Sequence, residues 1–167
     1  MTPKPTKSAG VSTPALAALE SAGVPHTPRP YTHDPDSPLG FGMEVATQLG
    51  LDPSQVFKTL LASVDGTLVV AVVPVSGTLD LKALAAAVGG KKASLANKDA
   101  AERATGYVVG GISPFGQRTR LRTVVDSSAL GLATVVVSAG RRGLQVEVAP
   151  ADLIAVTGAA TAAIGKE

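Results

Sequence analysis

A lysine stands near the start of a predicted apolar strand, where a positive charge could contact a ligand. Lys58 belongs to the run 55–64, Gln-Val-Phe-Lys-Thr-Leu-Leu-Ala-Ser-Val, which Asp65-Gly66 separates from a second apolar run at 67–75. An Asp-Gly pair between two β-rich runs predicts a hairpin with a type I′ turn. Side chains alternate along a strand, so Lys58 shares an otherwise apolar face with Leu60, Ala62 and Val64. Two interpretations stay open: an ammonium that reaches solvent at the strand end, or a ligand-facing cation at the mouth of a pocket.

A glycine-rich loop is the second feature that could bind a ligand. Residues 107–116 read Tyr-Val-Val-Gly-Gly-Ile-Ser-Pro-Phe-Gly. Glycines let a ligand approach the backbone closely, and successive amide donors can form an anion-binding concavity. A Gly-Gly pair is also typical of an ordinary tight turn, so the loop alone does not identify a site.

Three arginines follow this loop at every second position, at Arg118, Arg120 and Arg122. In an extended segment that spacing places all three on one face. A solvated strand face and a track for nucleic-acid phosphates both fit the pattern.

Both histidines lie in the proline-interrupted segment 25–33, which also holds Tyr31. We predict a short edge strand there, with Tyr31 and His33 on the same face. Two histidines without clustered carboxylates are typical of structural or exposed positions, so we assign no metal and no cofactor. The sequence also lacks a P-loop, a dinucleotide glycine fingerprint, a serine nucleophile elbow and a zinc-type histidine motif.

Helices are predicted between the strands. Cap residues and helical spacing of apolar residues place them at 14–22, 41–49, 78–88, 97–106 and 150–156, with Thr78 as the cap of the third. Strand patterns predict a second hairpin at 133–148. The fold class is therefore α+β, a single domain with a curved, mixed but largely antiparallel sheet flanked by helices.

The composition agrees with one globular domain. The chain has 167 residues, of which 45% are hydrophobic and 17% charged, enough for one sizeable core. Its formal net charge is only +2, so a nucleic acid would have to bind a local basic patch. Without cysteine, a disulfide framework, a thiolate metal site and a cysteine nucleophile are excluded.

The two ends of the sequence have little to bury. Residues 1–10 are rich in Pro, Lys, Ser and Thr, and residues 159–167 in Ala, Gly and Thr, so we expect a flexible tail and a loose C-terminus. No apolar signal-peptide core follows the first lysines, and the run beginning at Leu68 is too short and strand-like to span a bilayer. We therefore expect a soluble cytoplasmic protein with no membrane partner.

Four segments together resemble the YbaK-type aminoacyl-tRNA deacylases, which are free-standing relatives of the editing domain of bacterial prolyl-tRNA synthetase. They are Gln-Val-Phe-Lys-Thr-Leu at 55–60, Leu-Asp-Leu-Lys at 79–82, the loop with its preceding Thr-Gly at 105–116, and Arg-Gly-Leu at 142–144. The resemblance runs from about residue 13 to residue 153. It implies a YbaK-like domain over residues 11–158 and trans-editing hydrolysis of misacylated tRNA, above all Cys-tRNA(Pro).

The resemblance also implies roles for particular residues. Lys58 matches the essential lysine of the family, which would hold the phosphate of the terminal adenosine or the ester carbonyl. Around the aminoacyl group, the resemblance implies contacts from Tyr31, Gly110, Gly111, Ile112, Ser113, Pro114 and Gln145. The thiol of the substrate cysteine would itself attack the ester and cyclise in a lyase-like step.

One position departs from the family pattern. Gln145 stands where an aspartate is expected, and Glu147, which faces the same way, is the nearest substitute. The implied partners are the acceptor end of tRNA(Pro), with Arg118, Arg120 and Arg122 as candidate contacts, and prolyl-tRNA synthetase. The alternatives are a deacylase for Ala-tRNA(Pro) or another small misacylated tRNA, and a non-catalytic module that binds tRNA ends or a synthetase.

Overall fold

The computed structural model describes residues 12–167, so the predicted tail at 1–10 lies outside the described residues. Within them the chain forms five helices and ten strands. The helices are α1 Pro14–Ser21, α2 Phe41–Leu49, α3 Leu81–Ala87, α4 Lys98–Thr105 and α5 Pro150–Thr157. The strands are β1 Thr27–Pro30, β2 Phe57–Val64, β3 Thr67–Pro74, β4 Thr78–Leu79, β5 Ala93–Leu95, β6 Arg122–Asp126, β7 Val135–Arg141, β8 Leu144–Val148, β9 Ala160–Ala162 and β10 Gly165–Lys166.

The strands form a mixed, largely antiparallel arrangement, as the sequence predicts. A five-stranded sheet has the order β5-β2-β3-β6-β9, in which only the β3–β6 and β6–β9 pairs are parallel. A three-stranded sheet, β1-β8-β7, is fully antiparallel. The two sheets meet at an isolated parallel bridge between Val56 and Val136, immediately before β2. This junction places the start of β2 beside the second hairpin.

The central hairpin has the predicted geometry. Asp65 and Gly66 both have positive φ, at 50° and 86°, as a type I′ turn requires. The register pairs Val64 with Thr67 and Lys58 with Val73. Strand β3 lies between β2 and β6 and its valines are almost fully buried, because α1 and the β7–β8 hairpin cover one face of the sheet and α3 covers the other.

Side-chain caps fix where α1, α3 and α4 begin. The Thr13 hydroxyl accepts a hydrogen bond from the Leu16 amide in α1, and the Asn97 side chain accepts one from Ala100 in α4. The prediction that Thr78 caps α3 is wrong. Asp80 performs that role by accepting from the Ala83 amide, since Thr78 is already paired as a strand residue. None of the described helices is both long and apolar enough to cross a bilayer.

The predicted loose C-terminus is also wrong. Strand β9 pairs in parallel with β6, and β10 pairs antiparallel with β4. Ile164 between them is fully buried. The segment has no apolar periodicity, but two hydrogen bonds hold its backbone. The Asp126 Oδ1 accepts from the amides of Ile164 and Gly165 at 2.9 and 2.8 Å. A segment of small residues is ordered here by contacts with distant parts of the chain.

Candidate active site

A cavity of about 300 Å³ opens where the two sheets meet. Its walls come from the residue that follows β1, the first turn of α2, the start of β2, the loop at 109–112 and the β7–β8 hairpin. It is lined by Tyr31, Gly40, Phe41, Gly42, Met43, Val45, Val56, Phe57, Lys58, Thr59, Leu60, Val75, Val109, Gly110, Ile112, Ser138 and Gln145. The lining is mostly apolar with a few polar groups, as is typical of small-molecule sites.

Lys58 lines this cavity and is partly buried. Its ammonium donates a hydrogen bond to the Gly77 carbonyl at 3.0 Å. Among the described residues it makes no ion pair with a carboxylate, and burial lowers the pKa of Lys58 below its usual value. A cation that lacks a carboxylate partner and faces a cavity is available to an anionic or carbonyl oxygen of a ligand.

Two hydroxyl groups of the cavity are buried without a partner. The Tyr31 and Thr59 oxygens make no hydrogen bond of normal geometry with the described residues. The pKa of Tyr31 is raised, chiefly by burial, although the Gly143 backbone acts in the opposite direction. An unpartnered buried hydroxyl costs free energy, so both groups are suited to meet polar atoms of a ligand. Tyr31, which the resemblance implies as a contact, lines the cavity. Thr59 also lines it but was not predicted, because strand alternation put it on the opposite face from Lys58.

Gln145 lies on the wall formed by the second hairpin, opposite Ser138 in the register. It is buried, and its side chain makes no hydrogen bond to the described residues. Glu147 does not replace the expected acid, because it accepts from Arg29 and from the Thr134 hydroxyl outside the cavity. Those contacts, together with the Arg29 charge, lower the pKa of Glu147 against the opposing effect of burial. Among residues 12–167, the cavity is therefore lined by a cation and by no carboxylate.

Only part of the glycine-rich loop reaches the cavity. Gly110 and Ile112 line it, whereas Gly111, Ser113 and Pro114 do not. Gly111 packs against the β7–β8 turn, where an added Cβ would lie 2.8 Å from the Arg141 Cα, and its amide donates to the Val108 carbonyl. Ser113 is fully buried and its hydroxyl accepts from the Phe115 amide. Gly111 and Ser113 therefore take part in the packing and hydrogen bonding of the loop itself, and the contact of all five residues with a ligand stays a prediction.

An aromatic and cationic rim flanks the mouth of the cavity. The Arg142 guanidinium lies 5.2 Å from the centre of the Phe41 ring, within cation–π range. His33 lies on the same ring, 5.3 Å between centroids, and its Nδ1 is 2.8 Å from a Glu44 carboxylate oxygen. Arg142 also donates two hydrogen bonds to the Val109 carbonyl. Sequence patterns did not indicate this rim, because its side chains come from three separate segments.

The three arginines of the predicted phosphate track lie beside three different helix ends. Arg118 packs on Gly106 after α4, and a guanidinium nitrogen of Arg120 lies 2.9 Å from the Cβ position of Gly158 after α5. Arg122 donates to the Val88 carbonyl at the end of α3. Only Arg122 belongs to a strand, so the predicted single extended face is wrong. Cations near helix C-termini favour helix stability, which gives these arginines a structural role.

The family of the chain follows from its similarity to known proteins. A model of the aminoacyl-tRNA editing domain matches residues 43–156. The chain belongs to this family. It is therefore an aminoacyl-tRNA deacylase with the YbaK-like fold that the sequence predicts.

Two relatives and one solved structure show the range of the family. A candidate Cys-tRNA(Pro)/Cys-tRNA(Cys) deacylase of Enterococcus faecalis, EbsC, is 40% identical over 114 residues, which cover 68% of this chain and 70% of EbsC. Proline–tRNA ligase of Citrifermentans bemidjiense is 31% identical over 118 residues, which cover 70% of this chain but 21% of the ligase. The crystal structure of a candidate trans-editing enzyme for prolyl-tRNA synthetase superimposes with a TM-score of 0.80 at 24% identity, covering 94% of this chain and 99% of that one.

The two adjacent glycines of the loop should respond differently to substitution. Gly110 has a φ of 91°, and an added Cβ would lie 2.7 Å from the Phe41 ring, so Gly110→Ala should lower the deacylation rate per folded molecule at least about tenfold by displacing the rim. Gly111→Ala should instead lower the free energy of unfolding by about 1–3 kcal/mol. Single-turnover rates and thermal melts of both variants test this. Gly131→Ala is the control, because an added Cβ there meets nothing within 4 Å.

Proposed function

We propose that this chain edits tRNA in trans by deacylating Cys-tRNA(Pro), the product formed when prolyl-tRNA synthetase mistakes cysteine for proline. The observation that carries the proposal is the cavity lined by Lys58 and by Tyr31 and Thr59, whose hydroxyls are unpartnered. The names of EbsC and of the structural relative support the substrate and the link to the synthetase. Such an enzyme would act in the cytoplasm, where charged tRNA is used.

A separate editing enzyme is needed because a synthetic site cannot reject a side chain of similar size. Differences of about one methylene in an apolar pocket are worth about 1–3 kcal/mol, which is too little for accurate translation. A second pocket that accepts the wrong amino acid then removes the error. The cavity of about 300 Å³ is of the size expected for the aminoacyl group at the end of a tRNA.

The reaction that this site supports uses the nucleophile of the substrate. The cysteine sulfur attacks its own ester carbonyl carbon, the bond from that carbon to the ribose oxygen breaks, and the thiol proton ends on the ribose hydroxyl. The products are free tRNA and a cysteine thiolactone, which water then opens. Holding the sulfur close to the carbonyl supplies proximity and orientation, which can lower a barrier by several kcal/mol.

The positive charge of Lys58 would stabilise negative charge on the substrate. Its ammonium can hold the ester carbonyl oxygen as negative charge develops there, or hold the phosphate of the terminal adenosine. The Tyr31 and Thr59 hydroxyls can donate to polar atoms of the ribose or the ester. The absence of a carboxylate from the described lining leaves the lysine charge uncompensated, which also favours a thiolate over a thiol.

Three described side chains that could serve as a general base are engaged elsewhere. His33 contacts Glu44, and Glu147 is held by Arg29 and Thr134. Asp126 binds the C-terminal segment. None of these groups lines the cavity, which supports attack by the substrate thiol over activation of water by a protein base.

The acceptor end of tRNA(Pro) would approach over the rim of Arg142 and Phe41. Phe41 is 39% exposed, so a base could contact its ring, and the Arg142 guanidinium can contact a phosphate. Arg118, Arg120 and Arg122 remain candidate contacts, although each lies near a helix end.

The salt dependence of tRNA affinity can separate these two groups of arginines. We expect Arg142→Gln to reduce the slope of log affinity against log salt by about one, because one phosphate contact is lost. Arg122→Gln should leave the slope unchanged and lower the free energy of unfolding, because its side chain binds the Val88 carbonyl. Filter binding of uncharged tRNA(Pro) at several salt concentrations measures the slope. A slope that falls with Arg120→Gln or Arg122→Gln, but not with Arg142→Gln, would favour the phosphate track predicted at positions 118, 120 and 122 over the Arg142 rim.

The proposed activity is tested by incubating the purified protein with tRNA(Pro) charged with cysteine, alanine or proline. We expect rapid loss of Cys-tRNA(Pro) and survival of Pro-tRNA(Pro). Preferential loss of Ala-tRNA(Pro) would establish the related activity instead. Tight binding of all three without deacylation would identify a non-catalytic module. This outcome is included because the neutral Gln145 stands in the cavity wall where the family pattern has an acid.

A further inference from the structure

The Gly77 carbonyl accepts the hydrogen bond of Lys58 and belongs to a turn that packs against the C-terminal segment. Gly77 follows β3, and its amide closes the turn by donating to the Pro74 carbonyl at 3.3 Å. Its carbonyl accepts from the Lys58 ammonium at 3.0 Å. This is the one hydrogen bond that the ammonium makes within residues 12–167, so the position of Gly77 affects where the charge lies in the cavity.

The C-terminal segment packs directly against Gly77. An added Cβ on Gly77 would lie 2.4 Å from the Lys166 carbonyl oxygen, so this backbone atom occupies the space behind the turn. The next residues are paired in register, Thr78 with Lys166 and Leu79 with Gly165. On its other side the turn contacts α2, where an added Cβ on Gly42 would lie 2.2 Å from a Val75 methyl group. The turn is therefore enclosed between α2 and β10.

Asp126 holds the C-terminal segment in place. Its Oδ1 accepts from the amides of Ile164 and Gly165, and its Oδ2 accepts from the amide and hydroxyl of Ser128. Burial alone would raise the pKa of Asp126, but these hydrogen bonds together lower it. The Ile164 carbonyl accepts from the Asp80 amide at 2.7 Å. A continuous series of contacts thus leads from Asp126 through residues 164–166 to the Lys58 ammonium.

We propose that residues 164–166 form a strap that positions Lys58 for catalysis by holding the Gly77 carbonyl in place. The strap and Gly77 are positioning elements, because neither lines the cavity. The proposal rests on the proposed function for its kinetic consequence. Its structural consequence, the environment of the Lys58 ammonium, can be measured without any tRNA.

Gly77→Ala is the primary test. Its φ is not in the left-handed region, so alanine is allowed by the backbone and the only expected conflict is with the Lys166 carbonyl. We expect the single-turnover rate constant for Cys-tRNA(Pro) at saturating enzyme to fall at least about tenfold, with the enzyme concentration for half-maximal rate little changed. Gly131→Ala, which has no neighbour to displace, should keep the wild-type rate. A wild-type rate constant for Gly77→Ala would overturn the proposal.

A truncated chain distinguishes an effect that acts through the strap from an effect of the turn itself. Ending the chain at Gly165 removes the Lys166 carbonyl but keeps the buried Ile164 and both hydrogen bonds to Asp126. We expect truncation alone to lower the rate constant, and Gly77→Ala to change it less than about twofold in the truncated chain. If Gly77→Ala has the same effect in both chains, it acts independently of the strap, and the proposal is wrong.

The acylation of Lys58 by trace acetic anhydride provides a readout that does not depend on activity. The fraction acetylated is measured against pH by mass spectrometry, with the exposed Lys82 as an internal reference. The Gly77 carbonyl favours the charged amine, so its displacement in Gly77→Ala should move the midpoint for Lys58 to lower pH by about half a unit or more. An unchanged midpoint would overturn the strap. Inactivity of the wild-type protein on every charged tRNA would overturn the proposed function and leave this measurement valid.

Discussion

Lys58→Ala should lower the single-turnover deacylation rate by about a hundredfold or more while leaving the fold intact. The ammonium is the one cation that lines the described cavity, and removal of a single group that stabilises developing negative charge typically costs that much. The effect should appear in the rate constant at saturating enzyme, because stabilisation specific to the transition state is lost. Lys82→Ala, on the exposed side of α3, is the matched control.

The same variant should be at least as stable as the wild-type protein. Burial lowers the pKa of Lys58, which means that the fold disfavours its charged form relative to the unfolded chain. That cost is present at pH values below the folded pKa and disappears above the unfolded pKa. At neutral pH, alanine removes it together with the bond to Gly77. A folded Lys58→Ala protein that turns over at near wild-type rate would exclude this lysine from the mechanism.

Local signals were sufficient for the central hairpin, for the positions of the helices and for the face on which Lys58 lies. The Asp65-Gly66 turn determines the register of the hairpin, and the register determines the face on which Lys58 lies. The glycines at 50, 106 and 158 end helices with a positive φ, where glycine is favoured. These patterns depend on residues a few positions apart, so a single sequence contains them.

The rest of the site depends on contacts between distant segments. Thr59 faces the opposite side of β2 from Lys58, yet both reach the cavity because it opens at the strand end, where the second hairpin adjoins. Arg142 and Phe41 are about a hundred positions apart and share no pattern. The alternation of Arg118, Arg120 and Arg122 suggested a strand, but residues 118–121 are not in a strand and the side chains turn to separate helix ends. The C-terminus has no apolar periodicity, and Asp126 orders it by binding its backbone.

Replacing cysteine by serine on the tRNA should lower the single-turnover rate by about two orders of magnitude or more. The two side chains are nearly isosteric, so the cavity should accept both. A thiol with a pKa near 8.5 is partly thiolate at neutral pH and intrinsically very nucleophilic, whereas a serine hydroxyl needs a base to activate it. The part of the lining that the structure describes supplies no carboxylate or histidine for that purpose. For Cys-tRNA(Pro) the rate should also rise with pH until the thiol is ionised, and the Lys58 charge should move that rise to lower pH.

The measurement compares single-turnover rates on Cys-tRNA(Pro) and Ser-tRNA(Pro) at saturating enzyme, so that differences in binding do not enter. Competition between the two charged tRNAs checks that their affinities are similar. Rapid quenching followed by mass spectrometry should detect cysteine thiolactone before free cysteine accumulates. Comparable rates for the two substrates, with free amino acid as the first product, would mean that water is the nucleophile. A protein base would then have to reach the ester, and His33 at the rim, held by Glu44, would be the first residue to substitute.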